Sequence, residues 1–140
     1  MPGPPPRPVP PHGAQRHLTG LRLGRATTLS PRGWRWVGAL RTLRSLDLQE
    51  TPLRDSALSC WSGLSALTRL SLRGCGSVGD AGLAVLACFP LLAVADLAMC
   101  WRLGDATLGV LGCLGQLRSL DLTGCQRFGA EGLRALCEPG

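Results

Sequence analysis

Two residue types with reactive side chains recur at fixed positions in this chain of 140 residues: cysteine at 75, 100 and 125, and aspartate at 55, 80 and 105. Thiols can supply a nucleophile, a zinc site or disulfides, and carboxylates can act as acid–base pairs or metal ligands. The spacing argues against all of these. Cys88 and Cys113 are also 25 residues apart, so cysteine position follows a repeat and not a local ligand motif. There is no C-x-x-C, and the only histidines, His12 and His17, precede the repeats, whereas structural zinc needs closely spaced Cys/His pairs. Thr51 and Ala26 stand where two further repeats would place the cysteine, so no nucleophile is required there. No Gly-x-Ser-x-Gly and no phosphate loop appears. The chain reads as a non-enzyme with no catalytic residue, no cofactor and no metal. An odd count of seven cysteines and the lack of a secretory signal predict reduced thiols. Stacked strands about 4.8 Å apart would nevertheless leave neighbouring cysteines within reach of a disulfide.

The elements that carry these residues follow from the motif around each cysteine. Leu67-x-x-Leu70-x-Leu72-x-x-Cys75, Leu92-x-x-Ala95-x-Leu97-x-x-Cys100 and Leu117-x-x-Leu120-x-Leu122-x-x-Cys125 each start 25 residues after the last. Such a period with apolar side chains at constant offsets means stacked supersecondary units, each too small to bury its own hydrophobic face. The offsets extend to five units, with strands beginning at Leu18, Leu43, Leu67, Leu92 and Leu117 and the second unit one residue short in its loop. Helical pairs follow at Trp34/Val37, Leu58/Trp61, Leu83/Leu86, Leu108/Leu111 and Leu133/Leu136. Each unit therefore reads as a short parallel strand, a loop closed by Leu29, Leu53, Val78, Leu103 or Phe128, and a helix of two to three turns facing the strand layer. The expected class is α/β, a right-handed solenoid with strands on its concave face and helices on its convex face. Its domain spans 18–140, as a degenerate unit 18–42 and units 43–66, 67–91, 92–116 and 117–140. The strand-end cysteine is expected to pack inside while its thiol engages loop backbone.

Asp55, Asp80 and Asp105 fall just before the helical pairs, where a carboxylate caps unpaired N–H groups and suits the positive end of the helix dipole. The last unit has Ala130 there, so its helix is expected to be the least well capped, with Glu131 still favouring the dipole.

The formal charge of +6 divides unevenly. Residues 1–44 hold eight arginines and no acid, whereas 45–140 hold seven arginines and nine acids. The absence of Lys, Ile, Asn and Tyr points to a GC-rich coding sequence rather than selection for a cationic surface. Nucleic acid or an anionic membrane bound by the arginine-rich N-terminal segment is thus the alternative reading, weakened by missing base-stacking aromatics and motifs. Residues 1–17 form a proline-rich tail expected to be disordered and extended, because proline removes donors and fixes φ. Pro2-x-x-Pro5-x-Arg7 matches a pattern read by Src-homology-3 domains, though such matches arise in any proline-rich run. No apolar run reaches the ~18 residues of a membrane span and no signal precedes the repeats, which places the protein in the cytoplasm or nucleus.

The stretches Gly74-Cys75-Gly76-Ser77-Val78-Gly79-Asp80-Ala81-Gly82-Leu83 and Cys100-Trp101-Arg102-Leu103-Gly104-Asp105-Ala106-Thr107-Leu108 resemble the cysteine-containing leucine-rich repeat of F-box/leucine-rich-repeat proteins. The resemblance implies a horseshoe that holds a protein substrate or adaptor and a role with the SCF (Skp-cullin-F-box) ubiquitin ligase. The helical F-box itself is not recognisable ahead of the repeats. The chain stops directly after the last helical pair, which would leave the final strand edge unpaired and suggests a shortened form of a longer protein.

Alternation along the strands sends Arg22, Asp47, Ser71, Asp96 and Asp121 outward as one column on the concave face. Three acids in five rungs, bordered by Arg69 and Arg73, make a modest negative stripe suited to a partly basic partner. Trp34 and Trp61 replace helix leucines and belong to the core, whereas Trp101 follows the strand, where sister units carry Gly76 and Gln126. With Arg102 and Arg127 nearby, Trp101 is the expected interface anchor.

Overall fold

The computed structural model describes residues 2–5, 17–25 and 28–138. The Arg7 and Ala26 expectations, and most of the proline-rich tail, lie outside the described residues; Pro2–Pro5 are exposed and carry no regular structure. The strands are β1 (Gly20–Arg22), β2 (Ser45–Asp47), β3 (Arg69–Ser71), β4 (Val94–Asp96) and β5 (Ser119–Asp121). They pair in parallel in chain order as one five-stranded sheet. Register follows the repeat: Leu21, Leu46, Leu70, Ala95 and Leu120 lie opposite one another, rung by rung. Side chains alternate across a strand, so this column faces inward, where Leu46, Leu70 and Ala95 are fully buried. Leu48, Leu72 and Leu97 extend the apolar layer, and their N–H groups continue the ladder by donating to Ser71, Asp96 and Asp121 carbonyls at 2.9 Å.

The returning halves of the coils are helical. They are α1 (Pro31–Gly38), α2 (Asp55–Leu58), α3 (Asp80–Leu83), α4 (Asp105–Gly112) and α5 (Ala130–Cys137). In the second and third coils one α-turn forms before the chain tightens into 3₁₀ turns at Ser59–Trp61 and Ala84–Cys88. In the second coil, Ser59 Oγ donates to the Ser56 carbonyl at 2.7 Å, a side-chain bond that satisfies a helix-end acceptor and favours termination. The helical pairs of the first four coils are buried, and Trp34 and Trp61 meet in the core with ring centroids 6.2 Å apart. The fifth pair departs from expectation. Leu133 is 47 % exposed and Leu136 only partly buried, because no described coil stacks over them.

Close stacking requires glycine opposite bulk. A Cβ on Gly38 would lie 2.3 Å from the Cys60 carbonyl oxygen, and one on Gly112 2.4 Å from that of Ala135, so adjacent helices pack backbone to backbone. After β2, β3, β4 and β5 the chain turns through a left-handed residue, Glu50, Gly74, Met99 and Gly124 respectively. Side chain and glycine alternate there: Glu50 lies over Gly74 and Met99 over Gly124, filling the space that a Cβ would need.

Candidate protein-interaction surface

The cysteine column is built into the stack. Cys75 Sγ donates to the Leu48 carbonyl at 3.1 Å, Cys100 Sγ to Leu72 at 3.0 Å, and Cys125 Sγ to Leu97 at 3.1 Å. Each thiol therefore ties its turn to the end of the preceding strand. Burial raises the Cys75 thiol to about 11 and the Cys100 thiol to about 12, and pushes Cys125 up as well. These groups stay protonated at neutral pH, which suits thiols that donate to carbonyls. Thr51 holds the equivalent position, is 2 % exposed, and its hydroxyl finds no partner among the described residues. Among the described residues, no group of three His, Cys, Asp or Glu side chains is placed to hold a metal ion.

The helix-start aspartates cap, but not the helices that contain them. Asp55 Oδ1 accepts from Gly79 N–H at 2.7 Å, Asp80 Oδ1 from Gly104 N–H at 2.9 Å, and Asp105 Oδ1 from Gly129 N–H at 2.9 Å. Gly79, Gly104 and Gly129 are the residues that open the next coil's helix. Thr107 adds its N–H and hydroxyl to the Asp80 oxygen. Where the next coil lacks that threonine it carries Gly82 or Gly132, whose Cβ would lie 2.4 or 2.3 Å from the aspartate oxygen. The carboxylates are thus clasps between coils. The expectation for Ala130 is overturned for the same reason: α5 receives its cap from Asp105, and the alanine affects only what would follow it.

The outward column forms on the open face of the sheet, but it is not a free negative stripe. Arg22 pairs with Asp47 at 3.2 Å, and Arg73 lies 3.5 Å from both Asp96 and Asp121. The same carboxylates fold back on their own turns, Asp47 to Gln49 N–H, Asp96 to Ala98 N–H and Asp121 to Thr123 N–H. The Thr123 hydroxyl and N–H hold the Asp121 carboxyl below its ordinary value, helped by Arg73. Three acids meet two arginines within the column and its border, which removes the electrostatic reason for a basic partner there. Arg69 stays exposed in the adjoining column, on the rung of Ser45 and Val94. Arg22 and Arg25 are engaged with Asp47 and Glu50, which withdraws two arginines from the nucleic-acid and membrane alternative.

Trp101, Arg102 and Arg127 lie instead on the loops that run from strand to helix. Trp101 is 52 % exposed, and its ring covers Gly76 of the preceding coil so closely that a Cβ there would lie 2.4 Å from Cζ2. Arg102 Nη1 donates to the Ser77 carbonyl at 2.9 Å, fixing the guanidinium across the coil boundary. Arg127 is exposed on the next coil, where its backbone bridges to Gly104. The structure separates the expected contacts into two surfaces: Asp47, Arg69, Arg73, Asp96 and Asp121 on the sheet, and Trp101, Arg102 and Arg127 on the loops.

One surface feature was not anticipated. Arg54 stands where later coils have Gly79, Gly104 and Gly129, and it lines two clefts, of about 540 Å³ and about 450 Å³. The signal was a break in the repeat: a bulky cation at a glycine position in the shortened coil. Trp36, 70 % exposed on α1, was also missed.

The leucine-rich-repeat family model matches residues 64–87 and 117–137. No curated protein matches the sequence. No helix among the described residues is long and apolar enough to cross a membrane. The matched segments coincide with the third and fifth coils of the parallel sheet, and the chain is accordingly an α/β leucine-rich-repeat solenoid, a type of module that generally mediates protein–protein interaction.

Proposed function

We propose that this chain is the recognition or adaptor component for a protein substrate, working with an SCF-type ubiquitin ligase and proteasomal degradation. The observation that carries the reading is the cysteine column, whose thiols bond the preceding coil from three successive repeats. That arrangement supports the resemblance of these repeats to the cysteine-containing repeat of F-box/leucine-rich-repeat proteins. Contacts would come from Asp47, Arg69, Arg73, Asp96 and Asp121 on the open face and from Trp101, Arg102 and Arg127 on the loops. No covalent chemistry is involved, and the place of action is the cytoplasm or nucleus.

Affinity capture with the intact chain, compared with Trp101→Ala, tests both halves. Cullin-ligase subunits should be recovered by both forms, and a substrate should be depleted by the tryptophan substitution. Capture that recovers no F-box protein and no cullin-ligase subunit removes the ubiquitin role and leaves partner binding to be judged separately.

A further inference from the structure

Outside the sheet face, three arginines without an ion pair among the described residues, Arg54, Arg102 and Arg127, lie on the strand-to-helix loops, and Arg35 lies on the first helix. The larger cleft, about 540 Å³, opens between the first and second coils; Leu29, Pro31, Trp34 and Pro52 give it apolar walls, and Arg35 and Arg54 give it cations. Arg54 and Ser56 continue into the smaller cleft of about 450 Å³, which also holds Asp55, Ser77 and Arg102. Arg102 is anchored on the Ser77 carbonyl, beside the exposed Trp101 ring that lies on Gly76. The clefts adjoin at Arg54 and Ser56, and their linings together span four coils as a groove, apolar at the first coil and cationic in the middle, with the Trp101 ring next in sequence to Arg102.

Neutralisation is where this groove differs from the acidic column of the sheet, although Arg69 on that face also has no ion pair among the described residues. Among the described residues, Arg35, Arg54, Arg102 and Arg127 take part in no ion pair, whereas Arg22, Arg25, Arg73 and Arg134 do. The one carboxylate in the groove, Asp55, has its Oδ1 on Gly79 N–H, and Asp80 and Asp105 are engaged in the same way. Three guanidinium groups against the single carboxylate of Asp55 favour further carboxylates from a partner. The apolar cleft and the half-exposed indole favour an apolar side chain alongside them.

We propose that this loop-side groove binds an extended acidic peptide segment. An aliphatic or aromatic side chain enters the cleft between Leu29 and Pro52, Asp or Glu side chains pair with Arg54 and Arg102, and further apolar surface meets Trp101. The proposal rests on the reading of the chain as a protein-interaction module and adds the chemistry of what it recognises.

A random peptide library displayed on phage, panned on the full chain, tests it. Enriched sequences should carry Asp or Glu next to an apolar residue. Synthetic copies should lose about tenfold or more in affinity against Arg54→Glu/Arg102→Glu, measured by fluorescence anisotropy. Arg44→Glu/Arg118→Glu, the same charge change at two exposed positions outside the groove, should leave affinity unchanged, and far-UV circular dichroism confirms that both variants fold. Binding of the wild-type chain should weaken as salt rises. Enriched peptides without acids, acidic peptides indifferent to the groove substitutions, or no enrichment at all would each overturn the proposal. Acid-free binders would still leave the interaction module standing, and the ligase role is decided independently by the capture experiment.

Discussion

Six aspartates recur at the repeat spacing, and the two columns they form behave as different chemical groups. Asp47, Asp96 and Asp121 sit on the open face, partly solvated and paired with flexible arginines. Asp55, Asp80 and Asp105 sit at the coil boundaries, and each accepts the N–H that opens the following helix. Residue type and period are shared; surroundings differ. A solvated carboxylate exchanges one set of water contacts for weak ion pairs, whereas a boundary carboxylate satisfies a donor that the stack would otherwise leave orphaned. Coil adhesion in this molecule thus rests on aliphatic packing supplemented by directional bonds, and the surface acids contribute little to it.

The largest expected effect sets the scale for that comparison. Leu97 is fully buried in the sheet layer, and Leu97→Ala should cost about 2–5 kcal/mol in chemical denaturation. Asp80→Ala comes next, since it strips an acceptor from Gly104 N–H and from two groups of Thr107; about 1–3 kcal/mol is expected. Asp105→Ala, which removes the carboxylate that accepts from Gly129 N–H, should cost about 1 kcal/mol. The buried thiols add a pH signature. Cys75 and Cys100 have folded values raised from 9.0 to about 11 and about 12, so only the unfolded chain ionises as pH first passes 9.0. Their contribution is complete below that value and is lost as pH climbs through the raised ones. Equilibrium unfolding should weaken over this alkaline window, and Cys75→Ser/Cys100→Ser should flatten the trend. At the small end, Asp121→Ala should leave the unfolding midpoint unchanged, because the carboxyl is solvated and its Arg73 partner retains Asp96.

Much of the architecture was legible from residue spacing. The constant offset of Leu46, Leu70 and Ala95 required a common inward face, and the strands pair in that register. The same spacing identified Trp34 and Trp61 as core, since they occupy leucine positions of the helical pairs. What spacing could not show was direction across a coil boundary. A carboxylate at the start of one helix lies one repeat away in sequence from the glycine of the next, yet stacking brings them into hydrogen-bond contact; a local capping rule selects the nearer helix and is wrong here. The neutral character of the open face was hidden likewise, because Arg73 reaches forward to acids of the next two coils. The loop-side groove escaped because Arg54 breaks the repeat at a position where pattern matching expects glycine. The exposure of Leu133 depends on what stacks above it, a property of position in the stack and not of the motif.

The most direct test of the coil-boundary clasp is native-state hydrogen exchange at the Gly104 amide, compared among wild type, Asp80→Ala and Asp96→Ala. Protection at Gly104 should fall sharply in Asp80→Ala, with Thr107 following it, while Asp96→Ala leaves both amides as in the wild type. Equal protection of Gly104 in all three proteins would contradict the assignment of these aspartates as bonds between successive coils.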